Sequence, residues 1–205
     1  VLDTDFFRRW MTATAAAVDR EADRLTDLDA AIGDADHGTN LQRGFTAVTA
    51  ALGGESPATP GAVLTLAGRQ LISTVGGASG PLYGTLLRRT GRALGEAPEV
   101  STGQLAEALG EGVAAVAQLG GAQAGDKTML DALLPAVQAL GTSAEAARDA
   151  ALAGAAATVP LLARKGRASY LGERSIGHED PGAASSALLV GALVEAAGAS
   201  GGGGA

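Results

Sequence analysis

Three carboxylates crowd one short stretch of this 205-residue sequence: Asp29, Asp34 and Asp36, within DAAIGDADHGTNLQRGF, Asp29 to Phe45. Carboxylate oxygens are hard ligands, and such a set suits Mg²⁺, which keeps waters and shares its remaining positions with substrate phosphates. Asp34 and Asp36 are two apart, so an extended turn points them alike. Asp29 stands five residues earlier, where a helix running from about Phe6 would end, and Gly33 lets the backbone fold the three together. His37-Gly38-Thr39-Asn40 follows, and Thr39 with Gln42 fits a capping box that opens the next helix. Free amides at that helix start favour a phosphate. The plain alternative is an acidic turn between two helices, with His37 merely exposed. An EF-hand is excluded, because QRGFTAV supplies neither the further oxygen ligands nor the closing glutamate.

Other glycine-bearing loops offer amides to an anion or ring, although each alone also reads as a helix C-cap. In GGASGPLYG, Gly76 to Gly84, Ser79 adds a hydroxyl; a nucleophile elbow is excluded, since Pro81 stands where it needs glycine and no strand precedes it. In GGAQAGDKT, Gly120 to Thr128, Asp126 separates Gly125 from Lys127 and a helix precedes the loop, which excludes a P-loop. HEDPG lacks the second histidine of a zinc-protease helix. Arg164, Lys165, Arg167 and Arg174 gather before Asp180-Pro181-Gly182. They read either as a solvated loop or as a cationic arm over phosphates. Carboxylates for Mg²⁺, glycine loops and an arginine loop together suit a nucleotide.

The elements that must position these residues are helices. Hydrophobic residues make up 46% of the chain and aromatics 3%, so the core is built from Leu, Val, Ile and Ala, a composition for closely packed helices. The net charge of −7 argues against a general nucleic-acid binder. The absence of cysteine excludes disulfides and thiolate zinc sites and fits a reducing cytoplasm. The start, VLDTDFFRRW, is too charged for a secretory signal, and the longest weakly polar run, about Ala150 to Ala163, is too short to span a membrane. A cytoplasmic protein with no membrane contact is expected.

Helical periodicity predicts eight helices and no strand. They run from about Asp3 to Leu28, Thr39 to Leu52, Pro60 to Val75, Leu82 to Leu94, Ser101 to Leu119, Thr128 to Leu140, Thr142 to Ala163 and Gly182 to Ala197. Ser101 with Gln104 and Thr142 with Glu145 fit capping boxes, and Pro135 should kink or break the sixth helix. One domain, residues 1–198, and a flexible glycine tail, 199–205, are expected. The fold class is all-α, a compact up-and-down bundle.

Four strings, DAAIGDADHGTN, GGASGPLYGT, GDKTMLDALLPA and RKGRASYLGERSIGHEDPGAASS, together resemble the L subunit, the nucleotide-binding partner, of dihydroxyacetone kinase. The similarity runs from the first helix to the last. It implies a closed barrel of eight antiparallel helices with ADP or ATP and two Mg²⁺ at one end. By resemblance the metal carboxylates fall on Asp29, Asp34 and Asp36. The nucleotide contacts fall on His37, Gly38, Thr39 and Asn40, on Ala78 and Ser79, on Gly120 and Met129, and on Arg167, Asp180, Pro181 and Gly182. Arg167 and His37 take the catalytic roles, with Met129 as soft packing for base or ribose. Ala35, between Asp34 and Asp36, is the one departure noted.

The resemblance further implies phosphoryl transfer by positioning and electrostatics, with the ketose held by a separate K subunit and the nucleotide recharged by an M subunit of the phosphoenolpyruvate-dependent phosphotransferase system. An ATP-dependent kinase module, of dihydroxyacetone or fatty-acid kinase type, and a nucleotide-loaded regulator of a transcription factor are the alternatives.

Overall fold

A computed structural model describes residues 1–199. Among them are eight α-helices: α1 (Thr4–Ile32), α2 (His37–Gly54), α3 (Pro60–Thr74), α4 (Ser79–Leu94), α5 (Thr102–Gly120), α6 (Leu130–Leu140), α7 (Ala144–Ala157) and α8 (Pro181–Gly198). A 3₁₀ helix, Arg167–Ser175, lies in the long segment between α7 and α8. The fold is all-α, with one exception to the expectation of no strand: β1 (Leu2–Asp3) pairs antiparallel with β2 (Glu99–Val100), Leu2 opposite Val100. Of the glycine tail expected to be flexible, 199–205, all but Ala199 lies outside the described residues.

Each α-helix packs against the next in the chain, and α8 returns to pack against α1. Aromatic side chains bring the first and last helices together. Phe7 and Trp10 on α1 are fully buried, their rings 5.9 Å apart and edge to face, and Trp10 Nε1 donates to the Leu189 carbonyl of α8 at 2.8 Å. α8 is long and apolar enough to cross a membrane by length and composition alone, a longer apolar run than the Ala150 to Ala163 stretch. It is instead packed on α1, α6 and α7, and its apolar composition is that of a core helix.

Several boundaries differ from those read in the sequence. α1 runs through Asp29 to Ile32, and its end is set by Gly33, whose amide closes on the Asp29 carbonyl; a Cβ there would overlap Asp29 Oδ1. α2 begins at His37 without the Thr39–Gln42 capping box, because Gln42 instead donates to Asp19 Oδ1 on α1. α4 begins at Ser79, a turn before Leu82. Ser101 and Gln104 do form a capping box on α5, whereas α7 is capped by Ser143, one residue after Thr142.

Pro135 neither ends nor breaks α6. The Asp131 carbonyl that it cannot bond lies against Gly154, where the absence of a side chain lets α7 come close. α7 stops at Ala157, short of Ala163: Thr158 to Leu161 turn away, and the carbonyls of Thr158, Val159 and Leu161 bond to Lys127.

Candidate nucleotide and metal site

The carboxylates of Asp29, Asp34 and Asp36 come together where α1 gives way to α2, with one oxygen of each within 4.8 Å of the others. Asp29 is buried on the last turn of α1, and its Oδ2 accepts the backbone N–H groups of Asp36 (2.9 Å) and His37 (3.1 Å). This carboxylate therefore caps α2 from outside, taking up the amides of Asp36 and His37 at the helix start. Ala35, between the other two aspartates, has φ +61°, a left-handed conformation that turns the chain so that Asp34 and Asp36 converge. Asp36 is raised above the usual carboxylate range by desolvation and by repulsion from Asp34 and Asp29, against a hydrogen bond from Asn40. Three hard carboxylate oxygens gathered this closely fit a divalent cation.

These aspartates line a cavity of about 420 Å³. His37, Ala78, Ser79, Gly120 and Met129 line it too, as do Arg167, Asp180, Pro181 and Gly182, so five separate stretches of sequence meet there. Gly38, Thr39 and Asn40 are not on its wall. Gly38 instead lets α2 approach the Ala22 carbonyl of α1, Thr39 is exposed, and Asn40 accepts from Arg43 at 3.3 Å beside Asp36. Apolar wall comes from Ile32, Leu82, Val116 and Leu130, which complement a flat base. Arg167 reaches across the opening, its Nε 3.0 Å from Asp34 Oδ2, with the guanidinium largely exposed.

Behind Ser79 runs a buried polar chain. Ser79 Oγ shares a hydrogen bond with His37 Nδ1 (3.2 Å), and His37 Nε2 shares one with Ser185 Oγ (2.8 Å). Ser185 in turn meets the Tyr83 hydroxyl (2.5 Å), which also meets Ser186 Oγ (2.9 Å). Burial holds His37 below its ordinary value despite Asp29, the Pro181 carbonyl and Asp34, so the ring is neutral near pH 7. Burial pushes Tyr83 up to about 12, keeping it a hydrogen-bond donor. Both ring nitrogens of His37 are thus engaged, one by Ser79 and one by Ser185.

Asp180 caps α8, accepting the Ala183 amide at 2.8 Å, and burial raises it to about 7, opposed by that bond and by Lys127 and assisted by Asp131 and Asp29. Lys127 lies on the cavity wall with its Nζ turned to backbone carbonyls, and burial lowers it against the pull of Asp180. Asp131 orders the turn before α6 by accepting from Gly125 N (2.6 Å) and Thr128 N (2.9 Å). Sequence reasoning gave no role to Tyr83, Lys127, Asp131, Ser185 or Ser186. For Asp131 a signal existed, a carboxylate three residues after Thr128 at a helix start.

The DAK2 domain profile matches residues 31–195. The ADP-binding subunit DhaL of a PEP-dependent dihydroxyacetone kinase from Listeria innocua is 43% identical, with 95% of each chain covered. The corresponding subunit from Escherichia coli is 41% identical, covering 92% of this chain and 94% of its own. The crystal structure of the dihydroxyacetone kinase from C. freundii in complex with AMP-PNP and Mg²⁺ superposes with a TM-score of 0.73 at 29% identity over 92% of this chain. This chain spans about a third of that kinase, 33% of its length. With a profile match over most of its length and likeness to the DhaL subunits from end to end, the chain belongs to the DAK2 domain family.

Proposed function

We propose that this protein is the nucleotide-binding phosphotransferase subunit of a dihydroxyacetone kinase, passing a phosphoryl group from Mg²⁺-bound nucleotide to dihydroxyacetone held by a separate K subunit. The observation that carries this reading is the meeting of Asp29, Asp34 and Asp36 with Arg167 and Ser79 on the wall of one cavity that also has an apolar side. Asp29, Asp34 and Asp36 would hold two Mg²⁺. Bound there, the ions supply positive charge to the phosphate oxygens as the phosphoryl group moves.

The chain's own residues bind and orient. Ser79, steadied by His37, offers a hydroxyl to a phosphate oxygen, and Arg167 brings a forked donor to the charge that grows during transfer. Leu82, Val116, Met129 and Leu130 receive the base, while Asp180, Pro181 and Gly182 border the site at the start of α8. Gly38 and Asn40 serve by shaping the α1–α2 junction, and Thr39 stands exposed beside them. The ring of neighbouring helices supports a closed eight-helix barrel with the nucleotide at one end. The donor is a phosphoenolpyruvate-fed M subunit, in the cytoplasm, as the near full-length likeness to PEP-dependent subunits suggests.

A second reading, direct use of ATP, draws on the likeness to a kinase that binds AMP-PNP and Mg²⁺. Nucleotide-loaded docking on a transcription factor is the regulatory alternative. Reconstitution decides among them. With K and M subunits and the phosphoenolpyruvate relay, dihydroxyacetone phosphate should form from phosphoenolpyruvate with a catalytic amount of ADP. Formation with ATP and the K subunit alone would favour direct ATP use, and no product under either condition would remove the catalytic reading.

A further inference from the structure

Lys127 is 1% exposed and sits at φ +63°, a backbone conformation a lysine adopts only when its surroundings fix it. Its Nζ donates to the carbonyl oxygens of Thr158 (2.9 Å), Leu161 (3.1 Å) and Ser175 (2.8 Å), with Val159 a longer fourth at 3.4 Å. An ammonium has three hydrogens, and the three shorter contacts use them all. The side chain is thus spent on backbone and does not serve as the phosphate-binding lysine of a P-loop.

The positions of those carbonyls give the lysine a purpose. Thr158, Val159 and Leu161 begin the segment between α7 and α8, and Ser175 ends its 3₁₀ helix. One ammonium therefore ties both feet of a loop whose middle places Lys165, Gly166 and Arg167 on the cavity wall. Neighbouring bonds reinforce the base: Ala163 N to Ser175 Oγ (3.0 Å), Arg164 N to the Asp126 carbonyl (3.1 Å) and Gly177 N to the Val159 carbonyl (2.7 Å).

We propose that Lys127 is a positioning residue: its ammonium fastens the feet of the Thr158–Ser175 loop and so holds Arg167 at the cavity edge beside Asp34, ready for a phosphate. The loop-fastening stands on geometry alone, and its consequence for phosphate rests on the nucleotide-binding reading above.

The test begins without nucleotide. In the purified chain, trypsin cleavage after Arg164, Lys165, Arg167 and Arg174 should be on the order of tenfold faster in Lys127→Met than in the unaltered protein, since the loop opens more often. Equal rates would overturn the proposal. In Lys127→Ala, ammonium chloride should slow cleavage by filling the ring of carbonyls, whereas tetramethylammonium, too large and without N–H donors, should not. If Lys127→Met fails to fold by circular dichroism, this rescue carries the test, and its failure counts against the proposal.

A cycle then asks whether Lys127 acts through Arg167. Arg167→Ala should weaken Mg·ADP binding by about tenfold in the unaltered chain and by less than about twofold in the Lys127→Met or ammonium-free Lys127→Ala background. Equal losses would overturn it. If the unaltered chain binds no Mg·ADP, the functional reading fails, while the cleavage experiment still judges the loop.

Discussion

Asp29 holds the start of the helix that follows it: its Oδ2 accepts the His37 backbone N–H at 3.1 Å, across the turn that carries the other two acidic residues. The same oxygen takes the Asp36 amide at 2.9 Å. One carboxylate thus has two tasks, capping α2 and completing the acidic triad, and the three aspartates should respond differently to the same substitution.

Asp29→Asn should lower stability by about 1–2 kcal/mol, because charge-assisted bonds to two helix-start amides are weakened. Asp34→Asn should change stability by less than about 0.5 kcal/mol, since it removes an exposed pair with Arg167 and relieves repulsion within the triad. Both, with Asp36→Asn, should abolish metal-dependent nucleotide binding. Urea denaturation and Mg·ADP titration of the three variants separate the two effects; unchanged affinity in Asp34→Asn and Asp36→Asn would remove the site assignment.

Tyr83→Phe deletes a hydroxyl that meets Ser185 Oγ and Ser186 Oγ in a buried setting. The serines lose a partner they cannot replace with water, and the expected loss is about 1–3 kcal/mol. Nucleotide affinity should also fall, because Ser185 steadies His37 and His37 steadies Ser79. Thermal denaturation paired with calorimetric titration checks both. A variant that loses stability but binds Mg·ADP as tightly as before would break the link from Tyr83 to Ser79.

Ala35→Gly should stabilise the protein by roughly 0.5–1 kcal/mol. Alanine at φ +61° carries left-handed strain that glycine does not, and the gain is only partly offset by glycine's greater freedom in the unfolded chain. A denaturant midpoint that falls, with unchanged slope, would contradict this.

Burial raises Asp180 from 3.8 to about 7, so the folded state favours its protonated form. The resulting stability is fully present below about pH 3.8 and is lost as pH rises through about 7. Asp180→Asn keeps a cap acceptor for the Ala183 amide but has no charge to bury. In the presence of a chelator, the variant should therefore gain on the unaltered protein between pH 4 and 7, by on the order of 2–4 kcal/mol. His37, shifted the opposite way, is common to both and cancels in the difference. A stability difference that is flat with pH would show that the carboxylate is solvated.

Much of this architecture is legible in the sequence because its signals are local. The Ser101–Gln104 box, Pro60 and Pro181 at helix starts, and the glycine after Ile32 all act within one turn of chain. The misreadings arise where a distant partner decides. Thr39 and Gln42 match a capping box, yet Asp29 has already taken the helix start and Asp19 claims Gln42. The alanine-rich run after Ser143 favours helix without a stop, and α7 ends where Thr158 and its neighbours turn their carbonyls toward Lys127, 31 residues back in the chain. Lys127 itself reads as a failed P-loop because nothing nearby in sequence announces the carbonyls that receive it. At the site, the acidic triad was visible as spacing, whereas the chain from Tyr83 to Ser79 joins three helices and existed only after folding.

By the proposed function, the acidic triad and its cavity hold a nucleotide through Mg²⁺. Native mass spectrometry of the purified chain, with no nucleotide added, before and after desalting, reads this out. A mass excess matching ADP and two Mg²⁺ should survive desalting and be absent from Asp34→Asn. A chain that carries no nucleotide as purified, and binds none when Mg·ADP or Mg·ATP is supplied, would contradict it.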